Sequence, residues 1–262
     1  MPQSAGAVYA ALGDSYTAAP YLPHITGPLG CWRSSDAYPA LVAAALHVAA
    51  LHNASCGGAV LQNLWTAQAV TPTANPPQLN VLTESTGLVT VGIGANNAQF
   101  VGLLSTCLNP DLAIVSCVAT WVTAGQDRIA SFIEQSRPLL MQGLRAIRAR
   151  APDAAVYVVG YPAVVPEGGS ACPDTPGLPS GNVPYVRAKV EQLNAMIAGA
   201  AAAAGDHYVD EWTATVGHDL CQPEAARWIE PLTPVPPAAG LHPNPAGEAA
   251  MARIVEQAIR AS

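Results

Sequence analysis

Apolar residues gather in short runs that alternate with longer stretches of helical spacing. The runs VYAAL from Val8, LVTVGIG from Leu88, AAVYVVGY from Ala154 and HYVDEW from His207 read as buried strands, with a weaker candidate in AALHNAS from Ala49. Between them lie AYPALVAAALH (37–47), GQDRIASFIEQSRPLLMQGLRAIRARAP (125–152) and VPYVRAKVEQLNAMIAGAAAAAG (183–205), each with apolar residues three and four apart, as a helix with one packed face requires. This alternation predicts an α/β fold, a three-layer α/β/α sandwich around a parallel sheet, with 1–262 as a single domain. Pro138 falls inside the longest helical stretch and is expected to kink it or split it in two. Proline and glycine concentrate at 70–80, 162–184 and 231–247; these read as surface loops, because the strand and helix patterns resume after each.

Composition narrows the class. Half of the 262 residues are apolar, enough for a sizeable core, while only 11% are charged, against roughly 25% in ordinary soluble chains. Eleven Lys and Arg against eighteen Asp and Glu give a net charge of -7, with no basic run able to follow a phosphate backbone, so nucleic acid is excluded as a partner. The longest apolar stretch, around Met196 to Gly205, is Ala-rich and falls short of the roughly twenty strongly apolar residues of a membrane span. Six cysteines, at 31, 56, 107, 117, 172 and 221, include no C-x-x-C pair, which favours three disulfides over a metal site and points to an exported protein. The opening MPQSAGA lacks a charged and then apolar leader, so a signal peptide is expected to have been removed or replaced by an initiating Met.

In a doubly wound sheet, sites form at the carboxyl ends of the strands. There the chain places Gly13-Asp14-Ser15, the small-residue turn ASCGGA (54–59), GIGANN (92–97) and, before the last helical stretch, GLHPNPAGE (240–248). An acyl-transfer site needs a nucleophile, a base to take its proton, and donors aimed at the developing oxyanion. Ser15, His242, the Gly58 backbone and the Asn96 amide supply all of them. Each alone also has an ordinary explanation. A G-D-S corner is a common turn, a His in a Pro-rich loop is commonly exposed, Gly57-Gly58 makes a tight turn, and Asn96 or Asn97 can cap a helix. Those explanations do not account for all four together, in the order Ser, Gly, Asn, His, each at a strand end.

The blocks GDSYT from Gly13, CGGA from Cys56, GAN from Gly94 and HPN from His242 resemble those of the SGNH hydrolases, also called GDSL esterases and lipases, and the likeness covers nearly the whole chain. The G-x-S-x-G elbow of α/β-hydrolases is absent. The resemblance implies a flavodoxin-like sandwich with Ser15 as nucleophile, His242 as general base, and an oxyanion hole made of the Ser15 N–H, the Gly58 N–H and the Asn96 side chain. It also implies pairing of cysteines in sequence order, as in secreted actinobacterial members: Cys31 with Cys56, Cys107 with Cys117, Cys172 with Cys221. Two positions depart from the pattern. Many members place Asp three residues before the His, where this chain has Ala239, and Asn97 stands where Asp often follows the block Asn. Some similar enzymes are dyads in which a backbone carbonyl two residues before the His, here that of Gly240, accepts from Nδ1.

The expected function is therefore a secreted serine esterase or lipase, a monomer acting on small-molecule or lipid esters without metal or organic cofactor. Its rival, resting on the missing Asp, is a non-catalytic secreted glycan- or lipid-binding module that keeps the fold. Acyl-chain length and alcohol group are left open, because fold does not fix specificity.

Overall fold

Side chains along Val8–Gly13 divide by parity. Ala10 and Leu12 are buried in one apolar cluster, Tyr9 and Ala11 in another. The same division holds for Val89 and Val91 against Leu88, and for Val156 and Val158 against Tyr157 and Val159. A strand that is apolar at both parities must be covered on both faces, which is why the runs are continuous rather than alternating.

The computed structural model describes residues 6–108, 117–167 and 182–262. Besides three 3-10 turns, the elements are β1 (Val8–Gly13), α1 (Ser15–Ala18), α2 (Tyr38–Leu46), β2 (Ala50–Asn53), β3 (Gln68–Ala69), β4 (Ala74–Asn75), β5 (Thr86–Gly92), α3 (Phe100–Cys107), α4 (Cys117–Trp121), β6 (Val122–Thr123), β7 (Gln126–Asp127), α5 (Arg128–Arg150), β8 (Ala155–Val159), α6 (Val183–Ala204), β9 (His207–Val209), α7 (Glu211–Thr215) and α8 (Pro245–Ala261). The central sheet has five strands, all parallel, in the order β2-β1-β5-β8-β9. Counting only these strands, that is the 2-1-3-4-5 order of flavodoxin-like folds. Helices α2 and α8 pack together over one face, and α5 and α6 pack together over the other. The small hairpins β3–β4 and β6–β7 lie outside the sheet.

All five expected strands form, and four of them end before their runs do. HYVDEW ends as a strand at Val209, because Asp210 turns to cap α7, its carboxylate accepting from the Thr213 N–H at 3.1 Å. AAVYVVGY ends at Val159, where Gly160 N–H bonds to Val209 O at 3.0 Å. Helix α5 runs unbroken through Pro138, so the expected split does not occur. One lost N–H bond is offset by the packing of buried Ile133, Leu140, Leu144 and Ile147. The 70–80 stretch is not simply a surface loop either. It drives Asn75, Gln78 and Leu79 into the interior.

Two of the three expected disulfides are present, Cys31–Cys56 and Cys107–Cys117. The third involves Cys172, which lies outside the described residues. No helix among the described residues is long and apolar enough to cross a membrane.

Two acids are buried where α7 and α8 meet, Glu211 and Glu248, with Glu248 accepting from the Tyr38 N–H at 2.7 Å. Burial pushes the Glu248 carboxyl up to about 8 and that of Glu211 well above the usual range. A raised carboxyl keeps its proton in the folded chain where the unfolded chain has released it. Stability therefore falls as pH rises from the ordinary 4.5 toward 8. Glu248→Gln keeps the acceptor for Tyr38 and removes the titration. The variant is expected to gain stability over the parent at about pH 9, on the order of a few kcal/mol, and little at about pH 5, as read by melting temperature across pH.

Candidate active site

Because every strand of the sheet is parallel, the ends of β1, β2 and β5 open at one edge. At the end of β1 the chain turns directly into α1. Gly13 is required there by close approach: a Cβ on it would stand 2.1 Å from Thr17 Oγ1 and 2.6 Å from Gly92 O. Gln78 clamps the Gly13 peptide from both sides, its Oε1 accepting from Gly13 N–H at 2.8 Å and its Nε2 donating to Gly13 O at 2.9 Å. Asp14 caps α1, Oδ1 accepting from Tyr16 N–H at 3.0 Å, and its other oxygen accepts the Tyr161 hydroxyl at 2.6 Å. Burial raises the Asp14 carboxyl to about 6 in spite of these donors. Asp14 thus holds the turn and leaves Ser15 as the first helical residue.

His242 reaches Ser15 across 227 positions. Its Nε2 lies 2.8 Å from Ser15 Oγ, and its Nδ1 lies 2.7 Å from Gly240 O. A carbonyl can only accept, so Nδ1 carries the hydrogen and Nε2 presents its lone pair to the serine hydroxyl. Burial holds the imidazole below its ordinary 6.5, favouring the neutral ring. The loop behind it is tied down from both sides. Glu230 N–H bonds to His242 O and Leu241 N–H to Glu230 O, both at 2.9 Å, and Ile229 bridges to Pro243. The Asn244 side chain caps α8 through Gly247 N–H at 3.0 Å.

Among the described residues no carboxylate is hydrogen-bonded to His242. Ala239 lines the cavity beside it. The buried Glu230 carboxylate is committed to Arg227, to the Asn244 amide at 2.9 Å and to Val235 N–H at 2.9 Å. Asp219 accepts from Cys221 N–H at 2.9 Å, Asp210 caps α7, Glu211 is buried at the α7–α8 junction, and Glu224 is exposed.

The two expected oxyanion donors meet through the loop after β2. Asn96 lies four residues beyond the end of β5, and its Nδ2 donates to Ala59 O at 2.8 Å. One amide hydrogen is thereby fixed, which orients the second. Gly58 sits at φ +74°, a left-handed conformation that turns the backbone where a side chain would be strained. The Cys31–Cys56 bridge anchors this loop, as does Arg33, buried with its Nε donating to Ser55 O at 2.8 Å. Asn97 is a tie to the next turn, its Oδ1 accepting from Leu61 N–H at 2.7 Å. Neither Asn96 nor Asn97 caps a helix; the residue before α3 is Gln99.

Ser15, Asn96 and His242 border a cavity of about 320 Å³ whose far walls are apolar, among them Phe100, Val101, Leu104, Val164, Val190 and Leu232. Gly58 is not part of its lining; Asn96 is tied to the Gly58 loop through Ala59 O. Sequence reasoning missed Gln78, Arg33 and Tyr161. Gln78 and Arg33 carry no local signal, since each acts on backbone far away in the chain. Tyr161 was swept into an apolar run although its hydroxyl both accepts from Ala95 N–H at 3.0 Å and donates to Asp14.

Residues 11–250 match the model of the GDSL-like lipase/acylhydrolase family. Lipase 2 of Streptomyces coelicolor is 36% identical over 251 residues, covering 93% of this chain and 83% of that protein. A lipase of Streptomyces rimosus is 31% identical over 243 residues, covering 92% and 82%. Among solved structures, phospholipase A1 from Streptomyces albidoflavus superposes with a TM-score of 0.81 at 28% identity, covering 97% of this chain and 99% of that one. The extracellular lipase of Streptomyces rimosus superposes with a TM-score of 0.74 at 28% identity, covering 96% and 99%.

Proposed function

The chain belongs to the GDSL-like lipase/acylhydrolase family and is a carboxylic ester hydrolase; from that premise we propose that it is a secreted serine esterase or lipase in which Ser15 and His242 act as a dyad. The observation that carries this reading is the line from Ser15 Oγ through the imidazole to the Gly240 carbonyl, 2.8 and 2.7 Å long.

As Ser15 Oγ attacks the ester carbonyl, its proton passes to His242 Nε2. The carbonyl oxygen becomes an oxyanion, met by the Ser15 N–H, the Gly58 N–H and the free hydrogen of the Asn96 amide. Collapse expels the alcohol, which takes the proton back from His242 and leaves an acyl-Ser15. Water then gives a proton to His242 and its oxygen to the acyl carbon, and the acid departs as Ser15 regains its hydrogen. The Gly240 carbonyl fixes the tautomer throughout. It stabilises the imidazolium less than a carboxylate does.

The apolar walls of the cavity support an acyl chain as the bound half of the substrate. The names of the relatives, lipase and phospholipase A1, support the same class. Secretion is supported by the disulfides and by the extracellular relative. The same reading takes the enzyme as a monomer with 1–262 as one catalytic domain.

A series of p-nitrophenyl esters tests the reading. From acetate upward, kcat/KM is expected to rise about fourfold for each methylene that enters the cavity, following roughly 0.8 kcal/mol per buried CH₂, until the walls are filled. Acetate as the best substrate of the series would contradict an acyl-chain cavity.

A further inference from the structure

Tyr16 follows the nucleophile directly, and the proposed chemistry gives it no task. It is nonetheless joined to the base and its loop at two points. Its hydroxyl donates to Leu241 O at 2.6 Å, and its ring lies with its centroid 5.0 Å from that of His242, the planes inclined by 35°. The ring of Tyr161 meets the Tyr16 ring at 5.3 Å and 84°, an edge contact that fixes its plane.

Resting on the reading of Ser15 and His242 as nucleophile and base, we propose that Tyr16 is a positioning residue for His242. Its hydroxyl holds the loop that carries the imidazole, and its ring face stabilises the imidazolium formed when Ser15 loses its proton. The first half follows from connectivity. Residues 16 and 241 are the chain neighbours of 15 and 242, so the Tyr16–Leu241 bond sets the distance between nucleophile and base. Leu241 sits at φ +66°, a region that disfavours a residue with a Cβ, and is held there by Tyr16 on its carbonyl and Glu230 O on its N–H. Released from Tyr16, that residue has a reason to relax, taking Gly240 O and the ring with it.

The second half follows from charge. Among the described residues no carboxylate is hydrogen-bonded to the imidazole, and the Gly240 carbonyl is neutral. A cation forming 5.0 Å from an aromatic ring is attracted by the ring quadrupole, and both residues are half-buried here, which limits screening by water. The titratable groups around the pair are Asp14 and Tyr161, bonded to each other and both in contact with Tyr16, and Glu230, whose backbone holds the His242 loop while its carboxylate pairs with Arg227.

Three substitutions separate the two halves: Tyr16→Phe, Tyr16→3,4,5-trifluorophenylalanine and Tyr16→Leu. Active sites are counted by fluorophosphonate titration, so that kcat is expressed per competent Ser15. The His242 proton equilibrium is read from its own imidazole NMR signal, identified by its loss in His242→Ala, which keeps it apart from the titration of Asp14. Tyr16→Phe loses only the hydroxyl and is expected to lower kcat about three- to tenfold with KM within about twofold. Trifluorination keeps the shape and drains the ring face. It is expected to lower kcat further and to move the His242 titration downward by several tenths of a pH unit relative to the Phe variant. Tyr16→Leu is expected to lose about 30- to 100-fold in kcat. If KM rises while kcat and the imidazole titration stay unchanged, Tyr16 is only a wall of the cavity and the proposal is wrong. It is equally wrong if melting temperature and titratable sites fall while kcat per site and the titration hold. Should the parent enzyme fail to titrate at Ser15, the dyad itself fails, which is a separate result.

Discussion

His242→Ala is expected to lower kcat by about 10⁴ to 10⁶ while the protein stays folded and still binds substrate. The magnitude follows from the ring's position. Among the described residues it is the group hydrogen-bonded to Ser15 Oγ with a lone pair to spare, at 2.8 Å, so its loss leaves the hydroxyl at its ordinary, inert state of protonation. The structure also predicts where a comparable loss will not occur. Replacing a true triad carboxylate by its amide costs roughly 10⁴ in kcat, because the imidazole adopts the wrong tautomer. Here the Gly240 carbonyl sets the tautomer, and the buried Glu230 is turned toward Arg227. Glu230→Gln is therefore expected to lower stability, since it breaks a buried ion pair, while kcat per titrated site falls far less than 10⁴. The acid limb of kcat/KM adds an independent check. Burial disfavours the charged ring, so the fall in activity on acidification is expected below the ordinary 6.5 of histidine.

The second large effect is expected at Asn96. Asn96→Ala removes one proposed oxyanion donor, and about 10² to 10³ in kcat should go with it at nearly constant KM. The bond from Nδ2 to Ala59 O shapes this expectation in two ways. It holds the amide in a single orientation, so the free hydrogen needs no rearrangement as charge develops. It also joins Asn96 to the loop of Gly58, so Asn96→Asp, which keeps the size and removes both amide donors, should be at least as damaging. A rise in KM alone would make Asn96 a ground-state binding residue instead.

Five strands and the long helices are legible in the chain because each rests on a local pattern, and the blocks that carry the proposed site residues Ser15, Gly58, Asn96 and His242 are local patterns too. Runs that are apolar at both parities announce buried parallel strands, and three polar blocks fall at the carboxyl ends of β1, β2 and β5, which a parallel sheet gathers at one edge; the His242 block, expected at a strand end as well, stands instead on the loop before α8, far along the chain from β9. What was not legible acts at long range. Gln78 seizes the Gly13 peptide from 65 positions away and sits in a stretch that reads as loop, because its neighbours are prolines. The Asp210 cap that stops β9 after three residues is invisible to a count of apolar residues. Pro138 is tolerated because the packed face of α5, not its hydrogen-bond ladder, holds that helix together. Tyr16 stood inside the quoted GDSYT block, but only the fold brings its ring onto His242.

If Ser15 is the acyl acceptor, the acyl group can be caught on it during turnover. The folded enzyme is treated with a p-nitrophenyl ester, quenched in acid during the first turnover, digested and analysed by mass spectrometry. A single acyl group on the peptide containing Ser15, absent from Ser15→Ala and accumulating more slowly in His242→Ala, is the predicted result. An acyl group on another residue, or full p-nitrophenol release by the Ser15→Ala protein, would contradict it.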